Sequence, residues 1–470
     1  MSKQIPRNLV LTITTIASFL TPFMGSAVNI ALPTIGKEFG MNAVLLGWVP
    51  AAYMLAAAIF LVPIGRIADI WGRKRIFLAG IAVYLAASVL CALSVSGAML
   101  IGFRIIEGIG GAMIFGTGVA ILTTVFPPAE RGKALGINVS GVYLGLSMGP
   151  VLGGFLTQYL GWRSVYWFNV PLCLFIIAGI VWKMKGEWTG AGGEKMDIAG
   201  AMIYGAALFA TMFGLSKLPG AGGIVLIIAG IAAIVLFAFW ETRADFPLID
   251  INLFKNNRVY AFSNIAALIN YSATSAVSFL LSLYLQFIKN LSPQNAGLIL
   301  IAQPLVMTAF SPLAGRLSDR IEPRIVSSLG MAICTLGLAA LAMLRTGTPF
   351  GFVLACLLFM GLGFACFSSP NTNAVMSSVD KRFYGVASGT LGTMRLVGQM
   401  MSMGFAMLVF SLVIGRVEIT PPYYQQFMSS FRILFGIFAA LCFAGIFASL
   451  SRGTVHQNAP ENDTEKTRVQ

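Results

Sequence analysis

The string GRIADIWGRKRIFLAG, residues 65–80, returns in altered form as GRLSDRIEPRIVSSLG, residues 315–330, and each copy lies between two long apolar runs. A polar hinge duplicated inside apolar sequence means a membrane protein built from two related halves. The spacing of the copies then counts helices. Gly65 and Gly315 are 250 residues apart. At roughly 30–35 residues per helix and loop, that interval holds about eight helices. Both copies are basic and so belong on the same side of a bilayer, which requires an even number of helices between them.

Outward from the hinges, 57% of the 470 residues are hydrophobic and only 10% charged, with a mean hydropathy of +0.84. That is too little polar surface to wrap a water-soluble core of this size. Apolar runs predict fourteen spans near 9–33, 45–66, 76–97, 99–122, 134–158, 165–184, 198–217, 222–241, 260–284, 294–315, 325–344, 350–370, 385–414 and 430–450. They are read as helices because lipid offers no partner to an unpaired backbone amide, and the runs lack the alternation of barrel strands. The expected plan is an all-α polytopic membrane protein. It has an N-terminal six-helix bundle over 1–184, linkers and two inserted helices over 185–258, a C-terminal six-helix bundle over 259–451, and a disordered tail over 452–470.

The net charge of +14 is distributed unevenly. Arg66, Arg73, Lys74, Arg75, Arg131, Lys133, Lys183, Lys185, Lys195, Arg243, Lys255, Arg258, Arg316, Arg320, Arg324, Lys381 and Arg382 fall in every second connection, and the loops between carry single cations such as Lys37 and Arg163. The positive-inside rule places the rich loops and both termini in the cytoplasm of a cell whose plasma membrane the chain spans. These cations form no stripe interleaved with aromatics, which excludes nucleic acid as a partner.

Enzymatic and ATP-driven readings fail in turn. The six cysteines sit in apolar runs without CxxC spacing and read as core residues, so no metal or other cofactor is expected. No GxxxxGK[ST] loop and no soluble domain for a nucleotide occur. GLSMG, from Gly145 to Gly149, spells GxSxG, but it lies in an apolar helix, and the single histidine, His456, is in the tail. Ser147 therefore has no base, and a hydrolase is excluded. A secondary transporter, a channel or a receptor remains, and two related halves favour alternating access.

Four constellations carry the mechanism. Gly141, Gly145, Gly149 and Gly153 recur every four residues on one helix face that lets a partner backbone approach, with Pro150 and Gly154 favouring a bend. This face is either ordinary tight packing or a seal that opens and closes. At the hinges, Asp69 with Arg73, beside Gly65, and Asp319 with Arg320 and Arg324 are close enough to pair. Exposed pairs are worth about 1 kcal/mol or less, which suits a gating latch. Arg104 and Glu107 lie three apart, and Glu107 is the acid placed well inside the hydrocarbon. It is either a static partner of Arg104 or a carboxyl that exchanges a proton as a cavity changes its exposure. Arg395, the other intramembrane cation, joins Asn29, Asn138, Tyr143, Asn270, Gln286 and Asn371 as candidates to line a substrate cavity. Thirty-five Phe and 22 Met fit an adaptable apolar pocket.

Together these strings resemble the major facilitator superfamily, specifically its fourteen-helix drug:proton antiporter branch. GRIADIWGRKR is similar to the signature between helices two and three, RIIEGIGGA to the fourth-helix motif, and GVYLGLSMGPVLGG to the fifth-helix antiporter motif. VNIALP (28–33), WRSVYWFNVP (162–171), PLIDINLF (247–254) and SSPNTNAVMSSVDKRFYGVASG (368–389) extend the likeness over nearly the whole chain. The resemblance implies a central cavity between two bundles and export of amphipathic compounds against proton influx. It implies gating by Asp69 and Arg73, proton coupling through Arg104, and an antiporter helix that includes Gly149 and Pro150. Two positions depart from the pattern. Met24 stands where many members carry a first-helix aspartate, and Glu107 where the fourth-helix motif often has Gln, so the titratable group is expected to have moved to Glu107.

The leading expectation is a monomeric, proton-coupled exporter whose partners are a hydrophobic or amphipathic small molecule, protons and the bilayer. A uniporter or proton symporter for a metabolite and a non-transporting sensor are the alternatives. With so few membrane acids, dications are disfavoured cargo, since a desolvated second positive charge would lack a partner.

Overall fold

The structure is a computed structural model that describes residues 7–184, 186–190, 195–380 and 384–453. Among these, fourteen helices are long and apolar enough to cross a membrane, as the apolar runs predict. They are α1 (Arg7–Phe39), α2 (Ala43–Trp71), α3 (Arg73–Ala92), α4 (Gly97–Val125), α5 (Glu130–Leu160), α6 (Arg163–Lys183), α7 (Ile198–Lys217), α8 (Ala221–Glu241), α9 (Arg258–Ile288), α10 (Pro293–Arg320), α11 (Pro323–Leu341), α12 (Phe350–Ser377), α13 (Tyr384–Val413) and α14 (Pro421–Leu450). The tail beyond Gly453, with His456, and the loop cations Lys185, Lys381 and Arg382 lie outside the described residues.

Several helices overshoot the apolar runs. α1 has 33 residues, which at the α-helical rise is about 50 Å against a hydrocarbon core of about 30 Å. The overshoot is polar sequence that continues the helix once nucleated, as with Gly36–Phe39 of α1 and the first turns of α14. Short side-chain caps fix several starts: Asn42 accepts from the Leu45 amide, Ser96 from Met99, and Ser292 from Asn295 just before Pro293.

In the first half α1 packs on α5, and α4 on both α2 and α3; in the second, α9 packs on α13 and α14, and α12 on α10 and α11. The halves meet along three seams, α1 with α9, α2 with α13, and α5 with α10. The inserted α7 and α8 form a hairpin of which α7 rests on α2 and α13, one helix from each half. α8 is left mostly outward, with only 17% of its apolar window buried. Fourteen crossings return the chain to the face where it began. We call this the terminal face, which carries both hinge strings, and its opposite the far face.

Candidate functional site

The glycine ladder of α5 is laid against α1 of its own half. A Cβ built on Gly141 would stand 2.8 Å from the Thr15 carbonyl oxygen, on Gly145 2.5 Å from that of Phe19, on Gly149 2.9 Å from that of Phe23, and on Gly153 2.7 Å from the Ala27 Cα. Backbone meets backbone along four turns, so α1 and α5 form one body. The contact between halves uses the neighbouring face. A Cβ on Gly154 would lie 2.6 Å from the Pro293 carbonyl oxygen of α10, and one on Gly297 of α10 would run into the Pro150 carbonyl.

The far face is closed around this seam. Ser282 donates to the Asn29 carbonyl at 2.6 Å, and Gln286 to the Ile30 carbonyl at 2.9 Å, joining α9 to α1. Tyr159 donates to Gln294 at 3.0 Å, and the Ala43 amide to the Val417 carbonyl at 3.1 Å. A deeper contact between the halves, the hydroxyls of Ser147 and Thr308 at 3.5 Å, lies at mid-depth. Towards the terminal face α2 and α13 still touch at Leu61, 3.4 Å from a Cβ on Gly392, but a Cβ on Gly65 would meet nothing within 4 Å.

At the first hinge both Arg73 Nε and Nη2 reach Asp69 Oδ1 at 2.7 Å, and Nη1 donates to Thr124 Oγ1 at 2.6 Å and to the Ala120 carbonyl at 3.3 Å. The pair thus ties α2, α3 and α4 together within one half. Sequence reading missed its cover, the connection after α6. The Arg73 amide donates to Trp188 and the Gly190 amide to the Asp69 carbonyl, each at 2.9 Å. Glu187 accepts from the Lys74 amide at 2.8 Å and pairs with Arg75 at 3.5 Å. Gly72 (φ +118°) gives α3 no side-chain cap, so Glu187 caps it from another segment. The only signal was one of three carboxylates in a Gly-rich linker.

The second hinge differs from expectation. Asp319 accepts from Asn373 of α12 at 3.2 Å, and among the described residues no ion pair joins it to Arg320 or Arg324. Arg320 is adjacent in sequence and points to another side of the helix, and Arg324 already belongs to α11 behind Pro323. Asn373 also reaches Ser318 at 3.2 Å, so the Asn373 amide ties this hinge to α12.

Arg104 and Glu107 form a closed ion pair, Nη1 to Oε2 at 2.7 Å, with both side chains buried. Glu107 lies ten residues into α4, or about 15 Å of helical rise, near the middle of a bilayer. Ser88 donates to Glu107 at 3.2 Å, the Arg104 Nε donates to the Val49 carbonyl at 3.1 Å, and the guanidinium lies 4.6 Å from the Tyr53 ring centre. Gly108 and Gly111 make this possible, since a Cβ at either would strike Tyr53 of α2. Satisfying the remaining lone pairs and protons is what makes a buried pair tolerable. Met24, at the expected aspartate position, is fully buried among apolar neighbours.

The polar cavity candidates separate into three groups. Asn138 bonds Ser18 at 2.9 Å, Asn371 the Ser263 carbonyl at 3.2 Å, and Asn270 sits beside the Cys442 sulfur at 4.0 Å; all three are buried ties within one half. Asn29 and Gln286 build the far closure described above. Arg395 and Tyr143 remain partly exposed at mid-depth. Arg395 donates to Thr372 at 2.6 Å, stands 5.7 Å from the Tyr271 ring centre, and keeps a buried Nε without a partner.

Solved structures of the same fold include a bacterial homolog of the human lysosomal transporter Spinster, in an inward-facing and unoccupied conformation. It matches with TM-score 0.66 and 18% identity over 96% of this chain and 99% of that one. A peptide transporter POT in complex with alafosfalin matches with TM-score 0.71 and 14% identity, over 95% of each chain. Among curated relatives, riboflavin transporter RibZ of Clostridioides difficile is 30% identical over 446 residues, covering 94% of this chain and 96% of its own length. Multidrug resistance protein Stp of Mycobacterium tuberculosis is 30% identical, and the tetracenomycin C resistance and export protein of Streptomyces glaucescens 29%, each over 81% of this chain and 71% of its own. The family profile described as Major Facilitator Superfamily matches residues 14–402 and 263–469. With fourteen apolar helices in two six-helix bundles around an inserted hairpin, the chain belongs to the Major Facilitator Superfamily and is a membrane transporter, not an enzyme.

Proposed function

We propose that the protein is a proton-coupled exporter of hydrophobic or amphipathic small molecules, working by alternating access as a monomer in the plasma membrane with its termini in the cytoplasm. The observation that carries this reading is the far-face seam, where Gly154 meets the Pro293 backbone and Gly297 the Pro150 backbone beside the hydrogen bonds of Ser282, Gln286 and Tyr159, while Gly65 at the opposite end faces open space. A seam of that kind can part without unpacking either half. Arg395, partly exposed over Tyr271 between α9, α12 and α13, offers a polar anchor in the pathway. The Arg104–Glu107 pair supplies a carboxyl at mid-membrane, and coupling requires that pair to part when a proton arrives. The relatives named for multidrug resistance and for tetracenomycin C export support the direction and the cargo class.

The test uses vesicles containing the purified chain, an imposed pH gradient and a fluorescent amphipathic monocation. Gradient-driven flux is expected to reverse when the gradient is reversed, and Glu107→Gln to remove the gradient dependence while leaving cargo binding. Retention of gradient-driven flux in Glu107→Gln would overturn the coupling assignment. A second reading is favoured by one observation: the riboflavin transporter matches this chain nearly end to end, whereas the named exporters are matched over 71% of their length. Saturable riboflavin flux in the same vesicles, outcompeting the dye, would make a flavin the cargo.

A further inference from the structure

The far ends of α2, α7 and α13 enclose a cavity of about 270 Å³, lined by Asn42, Leu45, Trp48, Phe213, Lys217 and Arg416 among others. It is separate from the α5–α10 and α1–α9 seams, and one of its walls is the inserted hairpin. Two cations from different elements converge on it. Lys217 ends α7, with its ammonium 5.2 Å from the Phe213 ring centre, and Arg416 follows α13 and makes one long 3.5 Å bond to the Ser216 carbonyl. Glu418, the nearest acid in sequence to Arg416, lies beside Gly40 instead, and no carboxylate lines the cavity. The site is therefore positive, at the depth where lipid headgroups sit. Its floor is apolar. Leu45 is 41% exposed, and Phe213 stacks at 5.5 Å on Phe209, one turn deeper and half-exposed. That path leads from headgroup level into the hydrocarbon.

We propose that this cavity is a binding site for the phosphate of an anionic phospholipid, bridged by Lys217 and Arg416, with an acyl chain running down Phe213 and Phe209. The walls belong to both halves and to the insert. They are already joined there by the Ala43 amide to the Val417 carbonyl at 3.1 Å and by Ser411 to the Leu218 carbonyl at 2.7 Å. A phosphate on Lys217 and Arg416 joins the insert to the second half, and the third wall is Asn42 and Leu45 of the first, so the site is complete only with the far ends together and the lipid favours that state. A guanidinium and an ammonium on one phosphate also discriminate against zwitterionic headgroups, whose own ammonium would be repelled.

The experiment places the full chain in nanodiscs of phosphatidylcholine alone or mixed with phosphatidylglycerol. Retained lipid is read by native mass spectrometry and stability by the unfolding midpoint. The wild type is expected to retain phosphatidylglycerol and to melt higher in its presence. Lys217→Gln with Arg416→Gln should lower retention by about tenfold and abolish the shift in midpoint, while Arg416→Lys keeps both. The unfolding midpoint in pure phosphatidylcholine controls for folding, and Lys217→Glu alone is a second variant at an exposed position. Equal phosphatidylglycerol retention by the wild type and both charge variants would overturn the proposal. So would stabilisation of the same size by soluble glycerol phosphate in pure phosphatidylcholine, which would make this a site for free anions.

Discussion

Arg104 and Glu107 concentrate the most demanding electrostatics in the molecule, since two full charges lie at mid-membrane with neither exposed. Removing one leaves the other uncompensated. Glu107→Ala is expected to cost about 3–5 kcal/mol of stability, read as a lowered unfolding midpoint in detergent. Replacing both by Met and Leu should recover most of it and still transport without gradient dependence. Recovery absent in the double variant would mean that the pair is not the source of the loss. The pairing was legible from the three-residue spacing. What surrounds it was not, because Ser88, Cys91 and the Val49 carbonyl arrive from α2 and α3, and no periodicity within α4 points to them.

Among elements, α5 shows how far a spacing can be read. Four glycines at intervals of four define a face, and that much is helical geometry. Which helix fills the face is a tertiary fact, and it is α1, with the cross-half contact displaced onto Pro150 and Gly154. The two faces predict different failures. Gly145→Val drives a side chain into the Phe19 carbonyl and should destabilise the fold itself, seen as loss of the monodisperse protein. Gly297→Val blocks closure against Pro150 and should leave a folded chain whose flux falls by more than about tenfold. In it, a thiol introduced by Ser282→Cys should react faster from the far face. Equal thiol reactivity with and without Gly297→Val would refute the assignment. The linker after α6 gave no such pattern, and it grips the first hinge through the backbone of Trp188 and Gly190 and through Glu187 at the open end of α3.

For the whole molecule, the even helix count and the two halves followed from one duplicated string and the placement of loop charge, and the structure has the fourteen helices they require. The closure of the halves at the far face had no counterpart in sequence, because it arises from contacts between residues more than a hundred positions apart, such as Tyr159 with Gln294. That pair gives a test of alternating access. Tyr159→Cys with Gln294→Cys should be bridged by a bifunctional methanethiosulfonate of short spacer, arrest transport, and regain it on reduction. Full transport by the cross-linked chain would mean that the far face does not open in the cycle.

The far seam has a thermodynamic consequence of its own. Pro150, Gly154, Pro293 and Gly297 carry no rotatable side chain, so bringing them together freezes no rotamers. A contact built from long polar side chains would cost about 1.5–2 kcal/mol in lost torsional freedom for each one immobilised. Shutting here is thus nearly neutral in conformational entropy at the point of contact. The balance between the two access states is left to whatever else differs between them: the far-face hydrogen bonds of Ser282, Gln286 and Tyr159, the cargo, the proton and the lipid at the margin.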